Sequence, residues 1–191
     1  MPIRIAIFAS GSGSNAENII RYFSNHPNFV FPVIISNNEK AFVHERAKKL
    51  GVSSVTFSKE DFLQGEKILN FLQEQKIDAI VLAGFLLQVP SLVIDAYPQK
   101  IINIHPALLP KFGGKGMYGM RVHEAVKEAG ETETGITIHY VNNEYDAGEI
   151  IFQAKCPVLP EDTPETIAKK VHELEYQYFP RVIEKIWGQQ N

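Results

Sequence analysis

Two stretches of this 191-residue chain carry residue types that can do chemistry. In Asn103-Ile104-His105 an amide and an imidazole stand two apart at the end of an apolar run. On a strand they share the face opposite Ile104. The amide N–H suits a developing oxyanion, and the imidazole suits proton transfer. Asp146, in the loop over residues 142–148, can reach the same edge, where its charge would favour a protonated His105. The plainer reading is a histidine that closes a strand and satisfies only its own hydrogen bonds. The second stretch, Ser10-Gly11-Ser12-Gly13-Ser14-Asn15-Ala16, matches G-x-G-x-x-G/A between a strand and a helix. Glycines let an anion approach the backbone, and free N–H groups at a helix start attract it. Ser12, Ser14 and Asn15 add side-chain donors suited to a terminal phosphate. A dinucleotide site would want an acid closing the second strand, where Ser36-Asn37-Asn38 stands instead. A turn kept only for tight packing is the third reading.

Other candidates are thinner. Thr137 and His139 share a face of one strand, and His139 points either at the site or at solvent. His26, His44 and His123 have no partners at metal-ligand spacing and read as surface residues. One cysteine and no HExxH-type spacing argue against a zinc site, and neither a G-x-S-x-G elbow nor a P-loop lysine occurs. Nineteen Lys and Arg against twenty-two Asp and Glu give a net charge of −3, too little basic excess for a nucleic-acid binder driven by charge. Cys156 alone excludes an internal disulfide and fits a reducing compartment. The opening apolar run is too short for a membrane span or a signal peptide. The expectation is a cytoplasmic protein with no membrane partner.

The elements that must position these groups are legible in the apolar patterning. Continuous runs over residues 3–9, 29–36, 53–57, 77–83 and 100–104 read as strands, with Pro32 pointing to an edge. Helices are expected from about Asn15, over 39–50 ending at Gly51, over 59–75, and over 163–187. Asp162 or Thr163 caps the last helix, Pro164 opens it, and Pro180 should kink or break it. After residue 131, strands over 134–141 and 149–158 form an added antiparallel pair. The order predicts an α/β, Rossmann-like fold: a mostly parallel sheet with helices on both faces and that pair near the C-terminus, as a single domain over 1–191. Ligands of such sheets sit beyond the strand ends, where Gly84, Asn103, His105 and the Asp146 loop fall.

Over essentially its whole length the sequence resembles the phosphoribosylglycinamide formyltransferases of purine synthesis. The resemblance rests on Ser10-Gly11-Ser12-Gly13-Ser14-Asn15, Val81-Leu82-Ala83-Gly84-Phe85, Asn103-Ile104-His105-Pro106-Ala107-Leu108-Leu109-Pro110 and Asp146-Ala147-Gly148-Glu149-Ile150-Ile151. It implies formyl transfer from 10-formyltetrahydrofolate, as co-substrate, to the amine of 5-phosphoribosylglycinamide. Asn103, His105 and Asp146 would be catalytic, with no metal. Ser12, Gly13, Ser14 and Asn15 would hold the ribose phosphate and Glu175 the ribose, with Gly84, Pro106 and His172 completing the substrate site. Leu86, Leu87, Gln88 and Val89 would face the folate pterin, with Asn103, Asn142, Asn143, Glu144 and Asp146. The resemblance also implies a cis Leu109–Pro110 bond, small-molecule partners only, and a monomer or homodimer. Leu87 stands where an arginine is common, the 113–118 loop differs from the simplest pattern, and the segment near Gln64 is shorter. Two alternatives stay open: a formyltetrahydrofolate hydrolase or other folate-dependent formyltransferase, whose usual extra domain 191 residues leave no room for, and a non-catalytic phosphate-binding module.

Overall fold

A computed structural model describes residues 1–189. Its strands are β1 (Ile3–Phe8), β2 (Phe29–Ser36), β3 (Ser53–Thr56), β4 (Ala79–Leu82), β5 (Ile101–His105), β6 (Glu133–Tyr140) and β7 (Ile150–Pro157). They form one seven-stranded sheet in the order β3-β2-β1-β4-β5-β6-β7. Pairing is parallel from β3 to β5 and antiparallel from β5 through β6 to β7. The helices are α1 (Ser14–Tyr22), α2 (Val43–Leu50), α3 (Lys59–Gln64), α4 (Glu66–Glu74), α5 (Ser91–Ala96), α6 (Met120–Glu128) and α7 (Pro164–Trp187). Strand alternation sorts β1 cleanly: Ile5 and Ile7 pack with Ile19 and Phe179, whereas Ala6 and Phe8 pack with Phe62, Ile68 and Val93. Helices therefore cover both faces, which is why β1 reads as a continuous apolar run.

Several expectations are corrected. β2 is not an edge strand, because β3 lies outside it. Pro32 is tolerated because β3 pairs only from Val33 onward, and the register with β1 slips between Arg4 and Ala6, leaving an extra residue on β2. The helix expected over 59–75 is two, separated by Gly65 at φ +83°. The helix expected from Glu39 begins only at Val43. Helices α5 and α6 were not singled out by the patterning.

α7 runs unbroken through Pro180. A proline removes the N–H that would bond the carbonyl four residues earlier. That carbonyl, on Tyr176, instead accepts from Asn18 Nδ2 at 3.0 Å. Thr163 caps α7 in a reciprocal capping box with Thr166, and Pro164 stands at its start. The Leu109–Pro110 bond is cis.

Candidate active site

A cleft of about 810 Å³ opens at the carboxyl ends of β1, β4 and β5. The glycine turn forms one end. Gly13 takes φ +74°, and a Cβ there would lie 2.3 Å from Val43 Cγ2, so the turn packs tightly on α2. Gly11 has open space where its Cβ would be. Arg46 Nε donates to the Ser12 carbonyl at 2.6 Å while its guanidinium pairs with Glu17, which fixes the turn from α2. Ser10 Oγ donates to Asn37 and accepts from the Leu86 amide, tying the turn to the end of β4. The first N–H groups of α1 have no acceptor within the helix, and only the Ser14 amide approaches Ser12 Oγ, at 3.5 Å.

Beside the turn, Asn15 Nδ2 donates to Glu175 Oε2 at 2.7 Å, and His172 Nδ1 meets the same oxygen at 3.2 Å. Because Nδ2 serves the carboxylate, Asn15 presents Oδ1 as its free group, and that atom is buried without a partner. An acceptor suits a hydroxyl rather than a phosphate. The Glu175 hydrogen bond raises the His172 pKa above its ordinary value.

The other end is a buried titratable cluster. Antiparallel pairing sets Asn103 opposite His139 and His105 opposite Thr137. His105 and His139 are 3% and 2% exposed. His139 Nδ1 lies 2.8 Å from its neighbour's Tyr140 carbonyl, which can only accept, so the proton sits on Nδ1. Gly148 allows this arrangement, since a Cβ there would lie 1.6 Å from the same carbonyl oxygen. His139 Nε2 then accepts from Asn103 Nδ2 at 3.1 Å. The same logic places a proton on His105 Nε2, 2.7 Å from the Phe112 carbonyl. His105 Nδ1 and His139 Nε2 face Asp146 Oδ2 and Oδ1 at 3.5 and 3.7 Å. Asp146 adopts φ +53°, a conformation that Asp tolerates better than most side chains. Its Oδ2 also accepts from the Gly114 amide at 3.0 Å.

These contacts correct one expectation. Burial pushes the His105 pKa below its ordinary value, outweighing the opposing pull of Asp146 and the Phe112 carbonyl. The ring is therefore neutral at pH 7, not the standing imidazolium expected from the sequence. Burial acts to raise Asp146, yet the His139 contact, the His105 ring and the Gly114 amide together hold it below the usual carboxylate range. With His105 neutral and His139 Nε2 accepting from Asn103, the Gly114 amide is the donor left to hold it there.

Every sequence-derived site residue lines the cleft except Asn143, whose side chain accepts from Ser91 Oγ at 2.8 Å instead. Ser12, Gly13, Ser14, Asn15, His172 and Glu175 gather at the turn; Asn103, His105, Pro106 and Asp146 at the cluster. Gly84 and residues 86–89 form the wall between, with Leu86 the exposed apolar face and Val89 turned into the core. Asn142 and Glu144 stand on the facing loop, where Asn142 Oδ1 accepts from the Glu144 amide. Sequence reasoning left His139 undecided and took His123 for a surface residue. His123 is 3% exposed and lines the cleft. The alternating Thr137-Ile138-His139 pattern was a signal for the first; nothing local signalled the second. His26 and His44 are half-buried and hydrogen-bonded. Among the described residues no group of three or more His, Cys, Asp or Glu is arranged to hold a metal ion, and no helix is long and apolar enough to cross a membrane.

The family model described as "Formyl transferase" matches residues 3–183. A phosphoribosylglycinamide formyltransferase of Arabidopsis thaliana, described as chloroplastic, is 38% identical over 94% of this chain, which spans 64% of that protein's length. The phosphoribosylglycinamide formyltransferase of Haemophilus influenzae is 36% identical over 94% of this chain and 85% of its own. The crystal structure of the enzyme of that name from Anaplasma phagocytophilum superposes with a TM-score of 0.87 at 36% identity, covering 97% of this chain and 87% of the other.

Proposed function

The chain belongs to the formyl transferase family, and on that premise we propose that it moves the formyl group of 10-formyltetrahydrofolate to the amine of 5-phosphoribosylglycinamide in purine synthesis. The observation that carries this reading is one cleft with Asn103, His105 and Asp146 at one end and the 11–15 turn at the other. In this reading residues 1–191 act as a single formyltransferase domain of the cytoplasm, on small molecules, as a monomer or homodimer. The backbone of the turn holds the phosphate, and Asn15 Oδ1 and Glu175 accept from pentose hydroxyls. The apolar wall at Leu86 and Leu87, opposite the polar 142–146 loop, suits a flat heteroaromatic ring with hydrogen-bonding edges. The formylfolate supplies the electrophilic carbon.

The residues then divide the work. His105 Nδ1, kept unprotonated by burial, takes a proton from the incoming ammonium group and frees its lone pair for attack. That transfer converts His105 to an imidazolium facing Asp146 at the moment negative charge grows on the formyl oxygen. Asn103 uses one Nδ2 hydrogen on His139 and has the second free for that oxygen. Asp146, directly or through water, relays the remaining amine proton to the departing folate nitrogen as the old carbon–nitrogen bond breaks. The proton left on His105 returns to solvent. The test follows folate absorbance with and without the ribonucleotide, together with product mass. Tetrahydrofolate and formylated ribonucleotide should appear in equal amounts only when both substrates are present. Release of formate at the same rate without ribonucleotide would point to a hydrolase and end this reading.

A further inference from the structure

Of the six histidines in the chain, five have a hydrogen-bond partner for at least one ring nitrogen. His123 has none among the described residues, and its Nδ1 is fully buried. An interior polar group left unpaired is rare enough to need an explanation. Here the residue lines the cleft, so the missing partner can be a ligand.

We propose that His123 recognises the ribonucleotide by hydrogen-bonding the amide that joins its pentose to its amino end. The inference rests on the formyl-transfer reading above and adds to it a specificity residue on α6. Its place between two sets of groups carries the argument. The charged groups that act on its ring are His172 and Glu175 on α7 and His105 at the end of β5. The first two, with Asn15, form the pentose end; His105 marks the reacting amine. A substrate spanning these ends has only its amide, one carbonyl and one N–H, in the middle. Burial pushes the His123 pKa below its ordinary value, and the neighbouring His172 and His105 add to that, against the pull of Glu175. A neutral imidazole offers one donor and one acceptor, matching either half of an amide. Asn15 Oδ1, the other unpartnered buried atom of the cleft, matches a pentose hydroxyl instead.

The experiment compares the parent, His123→Leu and His123→Gln by calorimetric titration with glycinamide ribonucleotide and with ribose 5-phosphate, which lacks the amide. Thermal unfolding of each ligand-free protein runs alongside. His123→Leu should weaken the ribonucleotide about 10- to 100-fold, the effect of removing one buried hydrogen-bonding partner. It should leave ribose 5-phosphate within about twofold, and Tm should hold or rise because the unpaired buried nitrogen of His123 is gone. His123→Gln keeps a donor and an acceptor, should recover part of the loss, and carries the test if the leucine variant does not fold. Equal weakening of both ligands would overturn the proposal by placing the ring on the pentose or phosphate. Unchanged ribonucleotide affinity with a lowered Tm would overturn it in favour of a packing role. A parent protein that binds no glycinamide ribonucleotide would instead overturn the formyl-transfer reading itself, before any variant is compared.

Discussion

The 11–15 turn and the His105–Asp146 cluster border the same cleft, yet they are built in opposite ways. In the reading proposed above the turn binds through backbone N–H groups, with Asn15 Oδ1 turned to the pentose and its other side chains mattering chiefly for what they do not obstruct. The cluster works through buried side chains whose far nitrogens are spent on backbone carbonyls, so that the near ones face a carboxylate. A binding site made of N–H groups needs only the right chain path. A proton-transfer site needs its protonation states set as well: burial holds His105 below its ordinary pKa, and hydrogen bonding holds Asp146 below its own against burial. The difference predicts that the turn responds to added atoms and the cluster to removed ones.

The largest effects should come from removal at the cluster. His105→Ala is expected to lower kcat about 10²- to 10⁴-fold, the range for one positioned acid–base group. Asn103→Ala should cost roughly 2–4 kcal/mol of transition-state stabilisation, the usual range for one oxyanion donor. Steady-state kinetics should find the ribonucleotide KM within a few-fold of the parent in His105→Ala, because the turn and Glu175 are intact. A KM that rose as steeply as kcat fell would erase the distinction between the two regions.

Addition at the turn should come next, and two glycines separate binding from packing. Gly13→Val puts a side chain into Val43 at a positive φ and should cost about 2–4 kcal/mol of stability, read by denaturant unfolding. Gly11→Ala meets nothing in the ligand-free chain. It should leave Tm unchanged while raising the ribonucleotide KM about tenfold, the size of one lost hydrogen bond. If Gly11→Ala were kinetically silent, the turn would be a packing device and the phosphate would bind elsewhere.

The pH dependence sharpens the comparison more gently. With His105 depressed by burial, the acid limb of kcat/KM should lie below the ordinary histidine value of about 6.5. Asp146→Asn removes the charge that raises it and should move the limb to still lower pH. The same burial penalises protonated His105 and His123 in the folded chain. That stability is present above about pH 6.5 and should be lost as pH falls toward the folded values. The smallest effect belongs to the turn's support. Ser10→Ala removes the bonds to Asn37 and the Leu86 amide, should cost about 1 kcal/mol in unfolding experiments, and should leave kcat near the parent value.

What the sequence made legible follows the same divide. Strands buried on both faces announce themselves as apolar runs, and the Asn103-x-His105 alternation and the glycine turn are local patterns. The rest depends on contacts distant in sequence. Pro180 reads as a helix breaker until Asn18 bonds the Tyr176 carbonyl, 158 residues away. His123 reads as a surface residue because its burial is made by tertiary packing, and α6 itself left no clear pattern. The charge on His105 is hidden from the sequence for the same reason. A nearby aspartate can be guessed from a motif, whereas the desolvation that outweighs it belongs to the folded chain.

The most direct test of the central claim, that His105 and Asp146 act as one proton-transfer unit, is a double-mutant cycle on formyl transfer with both substrates saturating. His105→Ala and Asp146→Asn should each lower kcat strongly, and the double mutant should fall little further, as expected for residues acting together. Fully multiplicative losses would show two independent roles. A correctly folded double mutant with near-parent turnover would contradict the account outright, leaving a binding cleft whose chemistry lies elsewhere.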